Sequence, residues 1–242
     1  MPSSESALAV KLSRFVRLTA PELQFLTEIQ SQCRRVAKDT ELVHEGQTGH
    51  RAYILQRGWA RCYKLLPDGG RQIITFSLPG DCLGLRSVLL RTSDHSFATV
   101  TDALVSEVPS QRMLAIFHDQ PRLGAAILWA ASRDEAMTVE HLVNIGRRSA
   151  IQRMAHLILE LCERLQLVGL ATPSGFDCPL NQHALADALG LSAIHINRVL
   201  RQLRERGLVT LSGHRMLIHD SKALRDLAEY NSSYLDQAYA PI

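Results

Sequence analysis

The sequence predicts an α+β protein: an N-terminal antiparallel β-roll of jelly-roll type, a long central helix and a C-terminal winged helix-turn-helix. Three observations carry this expectation. Short apolar runs separated by glycine-rich turns fill the region from Ala20 to Pro109. Apolar residues then recur at helical spacing from Pro121 to about Ile145. Finally, two capped helices joined by a glycine turn lie between Asn181 and Gly207, with a hairpin after them.

The roll comes first. Thr19 reads as an N-cap, with Pro21 just inside a short helix through Ile29. Strands are expected at residues 41–44, 52–56, 59–65, 73–78, 83–88, 97–101 and 104–109. Their turns fall at Gly46, Gly49, Gly58, the run Pro67-Asp68-Gly69-Gly70 and Pro79-Gly80-Asp81. Many short strands with turns of this kind form an antiparallel roll or barrel.

Pro121 can open the central helix, in which Leu123, Ile127, Ala130 or Ala131, Met137, His141 and Leu142 recur at helical spacing. Such a stripe needs a partner surface. A second copy of the chain is the simplest, making Leu123, Ile127, Ala131, Met137 and His141 a dimer interface; the chain's own roll is the alternative. Gly146 is expected to end the helix. A second helix over residues 149–165 and a loop over 169–177 follow. The predicted domains are 1–119 (roll), 120–146 (dimerisation helix), 147–220 (winged helix-turn-helix) and 221–242 (a helical extension with Leu224, Leu227 and Tyr230).

Asn181 is a suitable N-cap for a helix over residues 182–189, and Gly190 a suitable stop. Ser192 caps the next helix, whose Ile196, Val199, Leu200 and Leu203 form an inward stripe. Ile194, Asn197, Arg198 and Arg201 share another face, the one a recognition helix turns to the major groove. A hairpin around Ser212-Gly213-His214-Arg215 makes a basic wing tip suited to phosphate. Between Asn181 and His219, Arg198, Arg201, Arg204, Arg206 and Arg215 oppose only Asp187 and Glu205. That segment therefore carries +3, equal to the formal net charge of the whole 242-residue chain. The expected DNA-binding set is Ser192, Ile194, His195, Asn197, Arg198, Arg201, His214 and Arg215, with double-stranded DNA as partner.

NQHALADALGLSAIHINRVLRQLRERGLV and the short wing after it resemble the C-terminal domain of the Crp/Fnr regulators. GQTGHRAYILQRGWARCYKLLPDGGRQIITFSLPGDCLGL resembles that family's β-roll. The resemblance covers nearly the whole chain. It implies a homodimeric transcription regulator on a near-palindromic promoter site, with RNA polymerase as a further partner. It places Arg198 on the family's guanine-reading arginine and puts Ile194 where many members carry a base-contacting glutamate. An unknown small-molecule effector would act around Gly80, Asp81, Gly84, Leu85, Arg86 and Ser87.

The resemblance also sets what is not expected. Cyclic-nucleotide binders carry a glutamate soon after the PGD element and an arginine later in the loop. Here Leu85 follows Gly84, and residues 92–97 hold no arginine, leaving Arg86 or Arg91 as substitutes. Iron–sulfur members need clustered N-terminal cysteines, and none precedes Cys33. Haem members place a histidine where Arg86 lies. No cofactor is expected. His44-Glu45 with His50 lacks the spacing of a helical zinc motif, and a cupin-like β-barrel enzyme or ligand-binding protein, the alternative reading, lacks its histidine pair. Cys33, Cys62, Cys82, Cys162 and Cys178 are scattered, which fits neither a disulfide framework nor a zinc site. Cys178 is the redox candidate, expected near the surface. With 46% hydrophobic and 21% charged residues, no apolar run of membrane-spanning length and a polar start, the expected address is the cytoplasm, with no membrane partner.

Overall fold

The computed structural model describes residues 6–48, 51–85 and 88–235. Among the described residues the chain forms two compact units, one from residues 6–64 together with 76–135, the other from residues 65–75 and 136–235. The first unit begins with α1 (Ala7–Leu12) and α2 (Ala20–Ile29), followed by β1 (Cys33–Val36), β2 (Glu41–Val43), β3 (Arg51–Arg57) and β4 (Ala60–Leu65). Then come β5 (Arg71–Ser77), β6 (Cys82–Leu83), β7 (Ser96–Thr99), β8 (Ala103–Pro109) and α3 (Ser110–Asp119). Two four-stranded sheets run β1-β8-β3-β6 and β2-β7-β4-β5. The pairs β1–β8, β3–β8, β3–β6, β2–β7 and β4–β7 are antiparallel. This is the expected roll.

Its details depend on local chemistry. Thr19 and Glu22 close a capping box ahead of α2. In β3, Ala52 to Leu55 are buried without alternation, because the strand lies inside its sheet between β8 and β6. The strand expected over 83–88 shortens to β6. Helices α1 and α3 and strand β1 were not expected. The sequence of β1, Cys-Arg-Arg-Val, has no apolar alternation, and three of its four residues are exposed.

Helix α4 (Pro121–Arg147) is long, as expected, but the stripe assigned to dimerisation lies inside the protomer. Leu123 and Ile127 belong to the first unit's core, with Leu12, Leu26, Ile54 and Ile116. Ala131 is half-buried and Met137 is buried. In the second unit, His141 donates from Nδ1 to the Ile74 carbonyl (2.9 Å) and from Nε2 to the Glu160 carboxylate (3.0 Å). A helix lying on its own protomer must bury its richer apolar stripe there, and periodicity alone does not say against what. Leu142, expected on that stripe, is instead 72% exposed, and Leu128 (60%), Val139 (56%) and Val143 (41%) are exposed too.

Gly146 stays helical, since one glycine costs only about 1 kcal/mol in a helix. The break comes after Arg147, where Ser149 and Gln152 form a capping box that starts α5 (Ala150–Leu167). The expected loop over 169–177 is a hairpin, β9 (Ala171–Thr172) and β10 (Gly175–Asp177). Next come α6 (Gln182–Leu189), α7 (Ala193–Glu205), β11 (Val209–Ser212), β12 (Arg215–Ile218) and α8 (Ser221–Ala228). The sheet order is β11-β12-β10-β9. The extension helix is shorter than expected: α8 ends at Glu229 in a left-handed conformation. Tyr230 then donates to Glu163 and Tyr234 to Glu160, each at 2.9 Å, folding the tail onto α5.

Candidate nucleic-acid interface

The two helices of the helix-turn-helix are set by caps the sequence spells out. The Asn181 side chain accepts from Ala184 N (2.8 Å), closing the first turn of α6. Gly190 ends α6 at φ 63°, ψ 41°, a left-handed conformation that favours glycine. Two residues later the Ser192 hydroxyl accepts from His195 N (3.2 Å) and starts α7. The tight turn brings α7 back against α6 and α5, burying Ile196, Val199 and Leu203. Leu200, expected on that stripe, is only half-buried.

The opposite face is open. Ile194 is 76% exposed, and Asn197, Arg198 and Arg201 are exposed. Single exposed aliphatic side chains are ordinary on protein surfaces, and apolar contact is what this one offers a partner. His195 is half-buried, and the Ser192 hydroxyl serves the cap. The wing tip is a two-residue turn at Gly213 and His214, with His214 at φ 63°. His214 and Arg215 are exposed, and Arg215 lies 3.5 Å from Asp177 on β10, its register partner. A groove lined by Gln182, Asn197, Arg201, Arg204 and His214 runs between α7 and the wing. It thus gathers three of the expected DNA-binding residues, while Ile194, Arg198 and Arg215 lie outside its walls.

Gln182 was missed by the sequence reading. It is the first residue of α6, and its Oε1 accepts from Asn197 Nδ2 at 2.8 Å. A polar residue opening the first helix was the available signal. Residues 65–75 of the roll's β4–β5 hairpin belong to this unit as well. Arg71 donates from Nε and Nη2 to Asp187 Oδ2 on α6 (2.9 and 2.7 Å). Cys178 corrects an expectation: it is buried, and burial pushes its thiol up to about 11, the opposite of a reactive thiolate.

In the first unit, Gly80 and Asp81, two of the residues assigned to an effector, are committed to protein contacts. A Cβ on Gly80 would stand 2.6 Å from the Ala7 carbonyl, so α1 lies directly on that turn. Asp81 pairs with Lys11 and accepts from Leu78 N (2.7 Å). Ser93 Oγ donates to the His95 carbonyl (2.8 Å), and Asp94 pairs with His95 (2.6 Å). A cavity of about 30 Å³ beside Gly80, Asp81 and Leu85 has room for one water. Arg86 and Ser87 lie outside the described residues, as does His50. The described residues here do not fit a cyclic nucleotide: Leu85 stands where a carboxylate would hold ribose, and the nearest carboxylates hold protein groups.

A β-roll, a long helix and a winged helix-turn-helix with an exposed basic reading face together define a class, the DNA-binding transcription regulators. Comparison with known proteins agrees. Residues 152–227 match the model of the Crp-like helix-turn-helix domain, and residues 33–120 that of the cyclic nucleotide-binding domain. The nitrogen fixation regulation protein FixK of Rhizobium meliloti (strain 1021) is 32% identical, over 77% of this chain and 82% of its own length. The transcriptional activator protein anr of Pseudomonas aeruginosa is 23% identical, over 87% and 86%. The solved structure of FixK2 from Bradyrhizobium japonicum is 26% identical and superposes with a TM-score of 0.75, over 83% of this chain and 98% of that one. The chain belongs to the Crp/Fnr family of transcription regulators. Among the described residues, no helix is long and apolar enough to cross a membrane.

Proposed function

We propose that the chain acts as a homodimer on near-palindromic promoter DNA, each copy laying α7 in the major groove about one helical turn, roughly 34 Å, from the other. The carrying observation is the outer face of α7, where Ile194, Asn197, Arg198 and Arg201 stand exposed beside the His214–Arg215 wing tip. Arg198 donates bidentately to guanine, and Ile194 meets a thymine methyl. Arg201, His214 and Arg215 contact phosphates, with Ser192 and His195 at the helix start beside the backbone. Because Ile194 replaces an acidic base-reader, the target departs from the common half-site of the family. Selection of sites from random DNA tests this, and recovery of the glutamate-type half-site would refute it. Arg198→Ala is expected to cost about 1–3 kcal/mol of discrimination at one guanine.

The dimer forms through the exposed residues of α4, Leu128, Val139, Leu142 and Val143, of which Leu142 alone lay on the stripe read from the sequence. Leu142→Glu should yield monomers in sedimentation while leaving the protomer folded; dimers at unchanged concentration would rule that face out. Such a regulator works beside the chromosome in the cytoplasm and meets RNA polymerase at the promoter. The described cavity beside Gly80 holds about 30 Å³, so an effector larger than a water needs the side chains that line it to move. Native mass spectrometry, which weighs any bound molecule, tests for one.

A further inference from the structure

We propose that Gln182 is the residue that fixes the base preference of Asn197, making that asparagine an adenine reader. The inference rests on the DNA-binding reading above and deepens it. Asn197 sits on the outer face of α7, one residue before Arg198. Gln182 lies fifteen positions earlier, at the start of α6, and the helix-turn-helix brings the two amides together. Asn197 Nδ2 donates to Gln182 Oε1 at 2.8 Å, and both side chains are exposed on one groove with Arg201 and His214.

The chemistry follows from counting donors and acceptors. An asparagine amide has two N–H donors and one carbonyl oxygen. Left alone on a surface it rotates freely, and either end can face a base. When the N–H trans to Oδ1 is the one committed to Gln182, the other N–H and Oδ1 remain side by side. The major-groove edge of adenine offers their complement, an acceptor at N7 and a donor at N6. Flipping Asn197 by itself would set two carbonyl oxygens against each other, so the pair resists that rotation. Water could satisfy both exposed amides equally well, so the contact matters for orientation rather than for folding. Gln182 acts through Asn197 as a positioning residue.

The test uses the full-length protein and a duplex selected from random DNA, with each half-site position replaced in turn by the other three bases. Wild type is expected to prefer adenine by roughly ten-fold at one position besides the guanine. Gln182→Ala should shrink that preference to within about two-fold and leave the guanine preference intact. Gln182→Glu, whose carboxylate accepts the same N–H, should keep the adenine preference while weakening binding evenly at all positions through its charge. Asn197→Ala should match Gln182→Ala, and the double variant should lose nothing more. The proposal is overturned if wild type shows no adenine preference or if Gln182→Ala retains it. It is equally overturned if Gln182→Ala weakens all sequences alike, which marks a sequence-independent phosphate contact. Arg198→Ala separates this from the broader reading: an unchanged guanine preference would overturn the docking itself, whereas its loss beside a failed Gln182 result overturns only the positioning role.

Discussion

The turn at Gly80–Asp81 and the outer face of α7 both gather groups a ligand could use, and they differ in what those groups already hold. At the turn, Asp81 is bound to Lys11 and to the Leu78 amide, and α1 covers Gly80. On α7, Arg198 and Arg201 stand in solvent with no ion pair among the described residues. A carboxylate tied to a buried lysine gives shape to its own fold, and recruiting it for a ligand means breaking that pair first. An exposed arginine loses only its hydration when a phosphate or guanine arrives, and counterion release from DNA favours the exchange.

Breaking the inward pair gives the largest expected effect. The Lys11 side chain is 5% exposed and that of Asp81 14%. Lys11→Met breaks this nearly buried pair, which should cost about 3–5 kcal/mol. Urea denaturation followed by fluorescence reads this as a lowered midpoint. Adding Asp81→Asn, which keeps an acceptor for Leu78 N, should recover much of the loss. A Lys11→Met protein as stable as the wild type would erase the contrast between the two regions.

A second inward-facing set lies behind the reading unit and should be visible through pH. His156 on α5 is fully buried, with neither ring nitrogen hydrogen-bonded. Tyr230 and Tyr234 pack on it, Glu140 lies 3.6 Å away, and Glu160, Arg148 and His141 act on it electrostatically. Burial pushes it down to about 4, against the upward pull of Glu160. As pH falls below 6.5, the unfolded chain takes a proton the folded chain refuses, so stability drops between pH 6.5 and about 4. Burial pushes Glu160 up, but the His141 charge and hydrogen bond, then Arg164, outweigh it and hold the carboxyl at about 2. Its stabilisation is present above 4.5 and is lost as pH falls toward 2. His141 runs the other way: burial lowers it, yet Glu160 and the Ile74 carbonyl raise it overall. Its contribution is full below 6.5 and fades as pH rises through its folded value. Thermal melts should therefore peak near pH 6.5. His156→Leu should flatten the slope from 6.5 to 4.5, and an unchanged slope would assign the acid loss elsewhere.

The reading unit was legible because its signals are local. Asn181, Gly190 and Ser192 sit within a dozen residues and each specifies its own cap, so the two helices could be placed by eye. The roll's strands were legible wherever apolar runs met glycine turns. What escaped depends on contacts distant in sequence. The six-residue α1 acquires its meaning from Gly80, more than seventy positions away. The α4 sequence puts Leu123, Ile127 and Leu142 on one apolar stripe, and only the folded protomer shows that Leu123 and Ile127 face inward while Leu142 faces out. Cys178 was expected near the surface of the DNA-binding part, yet it is buried, and its backbone N–H donates to the His214 carbonyl at 2.7 Å. The Gln182–Asn197 pair spans the turn and has no one-dimensional signature.

The smallest expected effect falls on the wing and separates positioning from reading within the exposed region itself. Arg215 is exposed, with Asp177 3.5 Å away on the neighbouring strand, so its charge is already partly balanced in water. Arg215→Ala should weaken binding to all sequences alike and lower the slope of log affinity against log salt by about 1. Asp177→Ala should do the reverse, tightening binding at low salt by removing an acidic group from beside the DNA phosphates. Titrations of one selected duplex and one scrambled duplex over a salt series would measure both. If Arg215→Ala instead changes preference at a single base position, the wing reads sequence, and the reading face must be extended from α7 to β12.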